Sequence, residues 1–263
     1  MVERKICEIP VFQFEQLNGQ KQLNHFVTSR RGGVSKSKYQ SLNFSYKVGD
    51  KEQHVKENRN SLAEALAIQP KYLLFPDQCH TRNVYEVKCN SKTEDLLSTD
   101  ALITNCRNIC ISVLTADCVP ILLFDPVMHA VGIVHSGWKG TVSRIAARTI
   151  EKMVKIYGSK PQNVLVCIGP SISQKHYEVG SEVARQFEFW FADTPSIFIR
   201  NPATGKTHIN LWEANIQLLL RQGILKRNIE ISDICTYENS SLFFSARRDG
   251  YHCGRFASGI MLI

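Results

Sequence analysis

The strongest constraint on how this chain can fold is a series of short apolar runs, each closed by turn residues. They cover Ala101 to Thr104, Ile109 to Leu114, Val119 to Phe124, Ala130 to Val134 and Val164 to Ile168. Runs this short and so bounded read as buried strands. Helical spacing relates Val142, Ile145, Ala146, Thr149, Ile150, Met153, Val154 and Tyr157, which predicts an amphipathic helix that starts near Thr141 as N-cap and closes at Gly158. Further helices are expected from about Glu52 to Ala67, Glu178 to Phe191 and Leu211 to Gln222, with surface loops at Ser91 to Ser98 and around Pro195 to Thr207. Strands and helices intermix without strict alternation, so an α+β, mixed-sheet architecture is expected rather than a doubly wound parallel one. In 263 residues, 43% of them apolar, no internal repeat or long linker occurs, and a single domain over 1–263 is the expectation.

The formal net charge of +8 favours anionic partners, but the Lys and Arg residues are spread along the chain and no block of five like charges occurs. This points to an anionic small molecule rather than to nucleic acid. The first residues hold no signal-like apolar core and no stretch reaches the length of a membrane span, so a cytoplasmic protein without membrane attachment is expected. Nine cysteines with no C-x-x-C pair fit a reduced compartment better than a disulfide framework, and most are expected to be small core residues.

Three polar positions interrupt the apolar pattern in a way that suggests chemistry. Cys118 ends T-A-D-C, His135 opens H-S-G-W-K-G at the end of a strand, and His80 ends Q-C-H. One thiol and two imidazoles form the ligand set of a catalytic zinc that keeps a position open for water. The separations of 38 and 17 residues match no short zinc-finger signature, so spacing allows a metal site without proving one. Asp117 beside Cys118 lies within an apolar run, and burying its charge costs several kcal/mol unless it is paired. Arg30 and Arg31 precede Gly32 and Gly33, while Arg247, Arg248 and Arg255 cluster around Asp249, Gly250 and Gly254. Arginines beside flexible backbone can fork around phosphate or carboxylate oxygens, and a structural ion pair such as Arg248 with Asp249 is the competing reading.

Taken in order, the motifs T-S-R-R-G-G-V-S, S-L-N-F, V-G-D, E-N-R, Q-C-H, T-D-A-L-I-T, T-A-D-C-V-P, H-S-G-W-K-G, I-G-P-S-I, Y-E-V-G, N-L-W, F-F-S-A-R-R-D-G and the late G-R span nearly the whole chain. Together they resemble the laccase-domain family, also described as the multicopper polyphenol oxidase type family of purine nucleoside phosphorylases. The resemblance implies a mixed β-sandwich flanked by helices, with a zinc held by His80, Cys118 and His135, which also carry catalysis. It further implies substrate contacts from Asn43, Arg59 and the pair Arg247 and Arg248. Lys139, Asn210 and Arg31 depart from the family's usual residues; Lys139 keeps the charge but loses the planar fork of arginine.

The activity so implied is phosphorolysis of adenosine, inosine, guanosine and 5′-methylthioadenosine with inorganic phosphate as co-substrate, together with deamination of adenosine to inosine. A second reading makes Cys118 the nucleophile and His135 the base of an amidase, since some relatives are described as peptidoglycan editing factors. A basic binding module without catalysis is a third. Copper oxidation has the least support, because none of the eight histidines lies two positions from another and no H-x-H pair exists.

Overall fold

The structure is a computed structural model that describes residues 1–263. Two six-stranded sheets carry the fold. The first has the order β1 (Val2–Ile6), β2 (Ile9–Gln13), β3 (Leu23–Thr28), β15 (Phe256–Leu262), β7 (Cys110–Thr115) and β4 (Leu73–Leu74). In the second the order is β14 (Ile229–Ile231), β10 (Leu165–Ile168), β8 (Val119–Asp125), β9 (Ala130–Ser136), β6 (Ala101–Thr104) and β5 (Val84–Glu86). Both are mixed: β4 with β7, β5 with β6, and β10 with β14 run parallel among otherwise antiparallel neighbours. A small third sheet joins β11 (Glu178–Val179), β13 (Thr207–Ile209) and β12 (Phe198–Arg200).

Seven helices, α1 (Glu15–Asn18), α2 (Glu52–Ala65), α3 (Trp138–Val142), α4 (Ile145–Tyr157), α5 (Ser181–Phe191), α6 (Leu211–Arg221) and α7 (Ala246–Asp249), complete the chain. Leu62 and Ala63 of α2 pack on the outer face of the first sheet against Ile9, Phe26 and Met261. Helix α4 covers the outer face of the second sheet against β6 and β9, with α6 packed on α3 and α4 and α5 on α3 and β13, and Ile150, Phe187 and Leu218 share the core between them. The inner faces meet in the sandwich core, where Val113 and Phe256 oppose Leu122 and Ile133. This layering explains the unbroken apolar run of β8: Ile121 and Leu123 face the helices while Leu122 and Phe124 face the other sheet.

The expected strands are present, with β7 and β10 each starting one residue late. Several boundaries differ for local reasons. The helix expected from Thr141 is two helices, with Gly137 rather than Thr141 at the N-cap of α3. The Thr141 hydroxyl instead donates to the Gly137 carbonyl at 3.0 Å. The Ser143 hydroxyl bonds back to the Gly140 carbonyl, and Arg144 takes a left-handed conformation at φ +60°, which separates α3 from α4. Helix α5 begins at Ser181 because Glu178 pairs with His208 as part of a strand. The segment expected as a loop around Pro195 to Thr207 contains β12, which turns at Asn201 to Lys206 and pairs with β13. Asn210, one of the departures, caps α6 by accepting the Glu213 N–H at 3.0 Å, as the usual aspartate would.

The expectation of free cysteines is corrected at one pair. Cys89 and Cys106 are bridged across a Cα separation of 5.7 Å, where the chain beyond β5 returns beside the end of β6. The other seven are free thiols.

Candidate active site

The antiparallel register of β8 and β9 pairs Val119 with Ser136 and Pro120 with His135, so the start of one strand lies beside the end of the other. Cys118 and Gly137, each one residue beyond this pairing, meet there. A side chain at 137 would push these groups aside: a Cβ would lie 2.8 Å from the Cys118 Sγ and 3.1 Å from the His80 ring. Asp117 takes a left-handed backbone (φ +91°) in the turn before Cys118, and its buried carboxylate is satisfied. It accepts the Thr236 hydroxyl and the Arg247 N–H, each at 2.7 Å.

His80 arrives from the loop after β4, and a carboxylate that no sequence motif singles out as a site residue holds it. Asp100, fully buried at the head of β6, accepts the backbone N–H groups of Cys79, His80 and Thr81 at 3.2, 3.1 and 2.6 Å. The same carboxylate accepts the His135 Nδ1 proton at 2.8 Å and the Thr81 hydroxyl at 2.9 Å. One carboxylate thus orients both histidines, and its bond to Nδ1 leaves the His135 Nε2 free to act as a ligand. The motif T-D-A-L-I-T contained the available signal, a carboxylate set directly against an apolar strand.

The His80 and His135 rings meet edge to face with centroids 4.9 Å apart, and the Cys118 Sγ is 3.8 Å from the His80 Nε2. One donor atom from each of the three residues lies within 4.8 Å of the others. Burial alone would raise the Cys118 thiol pKa, but His135 and His80 draw it below the ordinary thiol value. Burial would likewise lower that of His135, while Cys118 and Asp100 hold it raised. Asp100 is held down to about 2, because its bonds to His135 and Thr81 outweigh the opposing effect of burial. A thiol biased toward thiolate, two converging imidazoles and a glycine that leaves room for them fit a soft-to-borderline divalent cation such as zinc.

A cavity of about 510 Å³ opens against Cys118 and His135, within the size range of small-molecule sites. Its wall includes Tyr46, Arg59, Phe75, Leu97, Thr115 and Arg255. Arg59 donates through Nε and Nη2 to the Phe44 carbonyl at 3.0 and 2.8 Å. Its guanidinium lies 4.5 Å from the Tyr46 ring centroid and 4.4 Å from that of Phe75. Asn43 does not reach the cavity. Fully buried, it accepts the N–H groups of Ser45 and Arg255 and donates to the Ser45 carbonyl and to Asp50, so it braces the wall from behind.

The late arginine pair lies elsewhere too. Arg247 donates to the His176 and Glu178 carbonyls, and Arg248 to those of Thr236, Tyr237 and Phe243 and to the Asp249 carboxylate. Of the residues expected to contact substrate, Arg59 lies on the cavity wall while Asn43, Arg247 and Arg248 lie off it, and Arg255 is the late arginine on that wall. Arg30 and Arg31 are likewise spent on the carbonyls of Gln40, Ser240 and Ser241.

Known proteins share this arrangement of sequence and fold. The purine nucleoside phosphorylase of Bacteroides thetaiotaomicron is 40% identical over 256 residues, covering 95% of each chain. Adenosine deaminase RL5, from an unknown prokaryotic organism, is 37% identical over 89% of this chain and 92% of its own. The crystal structure of the hypothetical protein YfiH of Bacillus licheniformis superposes with a TM-score of 0.93 at 33% identity, covering 99% of both chains. Residues 24–263 match the family described as multi-copper polyphenol oxidoreductase laccase, and the chain belongs to that family.

Proposed function

We propose that this protein is a zinc-dependent purine nucleoside enzyme. On this reading it cleaves adenosine, inosine, guanosine and 5′-methylthioadenosine with inorganic phosphate and also deaminates adenosine to inosine. The observation that carries the reading is the convergence of Cys118, His80 and His135 on the wall of a cavity of nucleoside size. The names of the relatives support both chemistries.

Cys118, His80 and His135 would hold the metal, with Asp100 fixing the His135 imidazole and the backbone that carries His80. A bound zinc supplies Lewis acidity and lowers the pKa of water toward about 7, the chemistry that hydrolytic loss of an amine from a purine needs. Tyr46, Phe75 and Leu97 present apolar surface to a purine and displace solvent around it. Arg59 supplies a fixed positive charge toward an anion, because its Nε and Nη2 are anchored and the planar fork is oriented in advance.

In phosphorolysis one oxygen of hydrogen phosphate bonds to C1′ as the bond from C1′ to the purine nitrogen breaks. The electron pair leaves with the base and the phosphate's proton ends on it, so the sum is free purine and ribose 1-phosphate. Product chromatography after incubation with inosine, with and without inorganic phosphate, tests this step. Hypoxanthine that forms only with phosphate supports it, and hypoxanthine that forms equally without phosphate makes the enzyme a hydrolase.

A second reading draws on the contact chain from Asp100 to His135 to Cys118, which resembles the carboxylate, imidazole and thiol order of cysteine hydrolases. In an amidase of this kind the thiol acts without metal. Activity that survives chelation and is lost on alkylation selects that reading.

A further inference from the structure

The cavity wall carries three cations, Lys47, Arg59 and Arg255, against two carboxylates, Asp77 and the exposed Glu94, which pairs with neither arginine. Lys47 on its wall is ion-paired with Asp77. Arg59 and Arg255 line the same cavity, yet carbonyl oxygens rather than carboxylates hold both guanidiniums. Arg59 is bonded to the Phe44 carbonyl, and Arg255 donates to the carbonyls of Cys253, Gly254 and Tyr251 at 2.6, 3.0 and 2.8 Å. Neither has a carboxylate oxygen within ion-pair distance, in contrast to Arg248 with Asp249. A guanidinium set in a protein wall without a counter-ion is a site prepared for an anion from solution.

The two arginines are fixed to one short segment and so to each other. Arg59 grips the Phe44 carbonyl, the Phe44 N–H donates to the Arg255 carbonyl at 3.0 Å, and the Arg255 N–H donates to the Asn43 Oδ1 at 2.9 Å. A third polar group lines the same cavity. Thr115, 1% exposed, forms part of the wall, and its buried hydroxyl has no hydrogen-bond partner. In the pairing of β15 with β7, Thr115 stands opposite Phe256, the residue after Arg255. A buried hydroxyl left without a partner costs stability unless a ligand supplies one.

We propose that Arg59, Arg255 and Thr115 form an oxyanion subsite and that its occupant is the inorganic phosphate consumed in phosphorolysis. The assignment of the occupant rests on the phosphorolytic reading. Thr115 is three residues from Cys118, and both line the same cavity, so one nucleoside in it can meet the anion and the metal ligands together. A nucleoside between them has its ribose toward the phosphate and its base toward the thiol and imidazoles. This assigns Arg255, and not the pair Arg247 and Arg248, as the second cation of the site.

The test uses the zinc-loaded wild type beside Arg255→Met, Arg255→Lys and Thr115→Val. Calorimetric titration with inorganic phosphate is compared with the phosphate KM of inosine cleavage at saturating inosine. Arg255→Met is expected to raise both the phosphate Kd and the phosphate KM at least tenfold, Thr115→Val a few-fold, and Arg255→Lys by an intermediate amount, with smaller changes in the inosine KM. An unchanged phosphate Kd in both Arg255→Met and Thr115→Val overturns the subsite. Thr115→Val removes only an unpartnered hydroxyl, so it carries the test if Arg255→Met fails to fold. Arg255-dependent binding of inosine 5′-monophosphate with no binding of inorganic phosphate overturns the choice of occupant. Arg255-dependent phosphate binding by a wild type that cleaves no inosine upholds the subsite while the phosphorolytic reading fails.

Discussion

The Asp100 carboxylate accepts the His135 Nδ1 proton at 2.8 Å while the same group accepts the His80 N–H at 3.1 Å. Two histidines that are 55 residues apart in sequence are thereby tied to one buried anion, His135 through its ring and His80 through its backbone. Asp100→Asn puts an amide NH₂ where an oxygen now meets backbone donors. It is expected to lower zinc affinity about 10- to 100-fold. Zinc retention against a competing chelator measures this directly, and wild-type retention would remove Asp100 from its orienting role.

Gly137 makes a sharper geometric prediction. Its φ of −73° suits alanine, so Gly137→Ala should fold. The added methyl nonetheless meets Cys118 and His80 inside contact distance. Zinc content and turnover should both fall at least tenfold while the thermal unfolding midpoint stays within a few degrees of wild type. An active Gly137→Ala protein with full zinc would show that Cys118 and His80 do not act as a joined pair.

Arg59→Ala removes a cation bonded to the Phe44 carbonyl and lying against two aromatic rings. Loss of a charge-assisted contact of about 1.5–3 kcal/mol corresponds to a phosphate KM raised by roughly tenfold or more. Phosphate use should weaken more than deamination. Parallel kinetics on inosine with phosphate and on adenosine alone check this, and equal losses in the two reactions count against an anion role.

His25 gives the fold a pH dependence distant from the site. Burial lowers its pKa from 6.5 to about 4, and the Phe14 N–H donates to Nε2 at 2.8 Å, a bond that a protonated nitrogen cannot accept. The neutral ring is the folded form, so its full contribution is present above the unfolded pKa of about 6.5 and is lost as pH falls toward 4. Stability should drop by about 2 kcal/mol from this group between about pH 7 and pH 5. Denaturant titrations of wild type and His25→Gln at both pH values test it; identical slopes with pH would contradict the assignment.

The sequence made the sandwich strands legible because both faces of β8 and β9 are covered, which leaves unbroken apolar runs. The break between α3 and α4 was hidden, since the hydrophobic spacing continues across Arg144 and only a side-chain bond from Ser143 and a left-handed residue divide it. At the site, the thiol and imidazoles stood out as polar interruptions of apolar segments. Asp100 stood out less because its partners come from a loop 19 to 21 residues earlier and a strand 35 residues later. The arginine pair Arg247 and Arg248 matches a motif but lies off the cavity wall, whereas Arg255, held by the Asn43 side-chain oxygen and the Phe44 N–H, lies on it. Sequence alone does not tell a guanidinium that ties down loops from one that faces a ligand.

The most direct measurement incubates purified protein with adenosine and inorganic phosphate beside Cys118→Ala at equal concentration, with products separated by chromatography and zinc quantified in both samples. Inosine, adenine or hypoxanthine, and bound zinc, are expected only in the wild type. Equal product in the two samples, or full zinc occupancy of Cys118→Ala, would contradict that expectation.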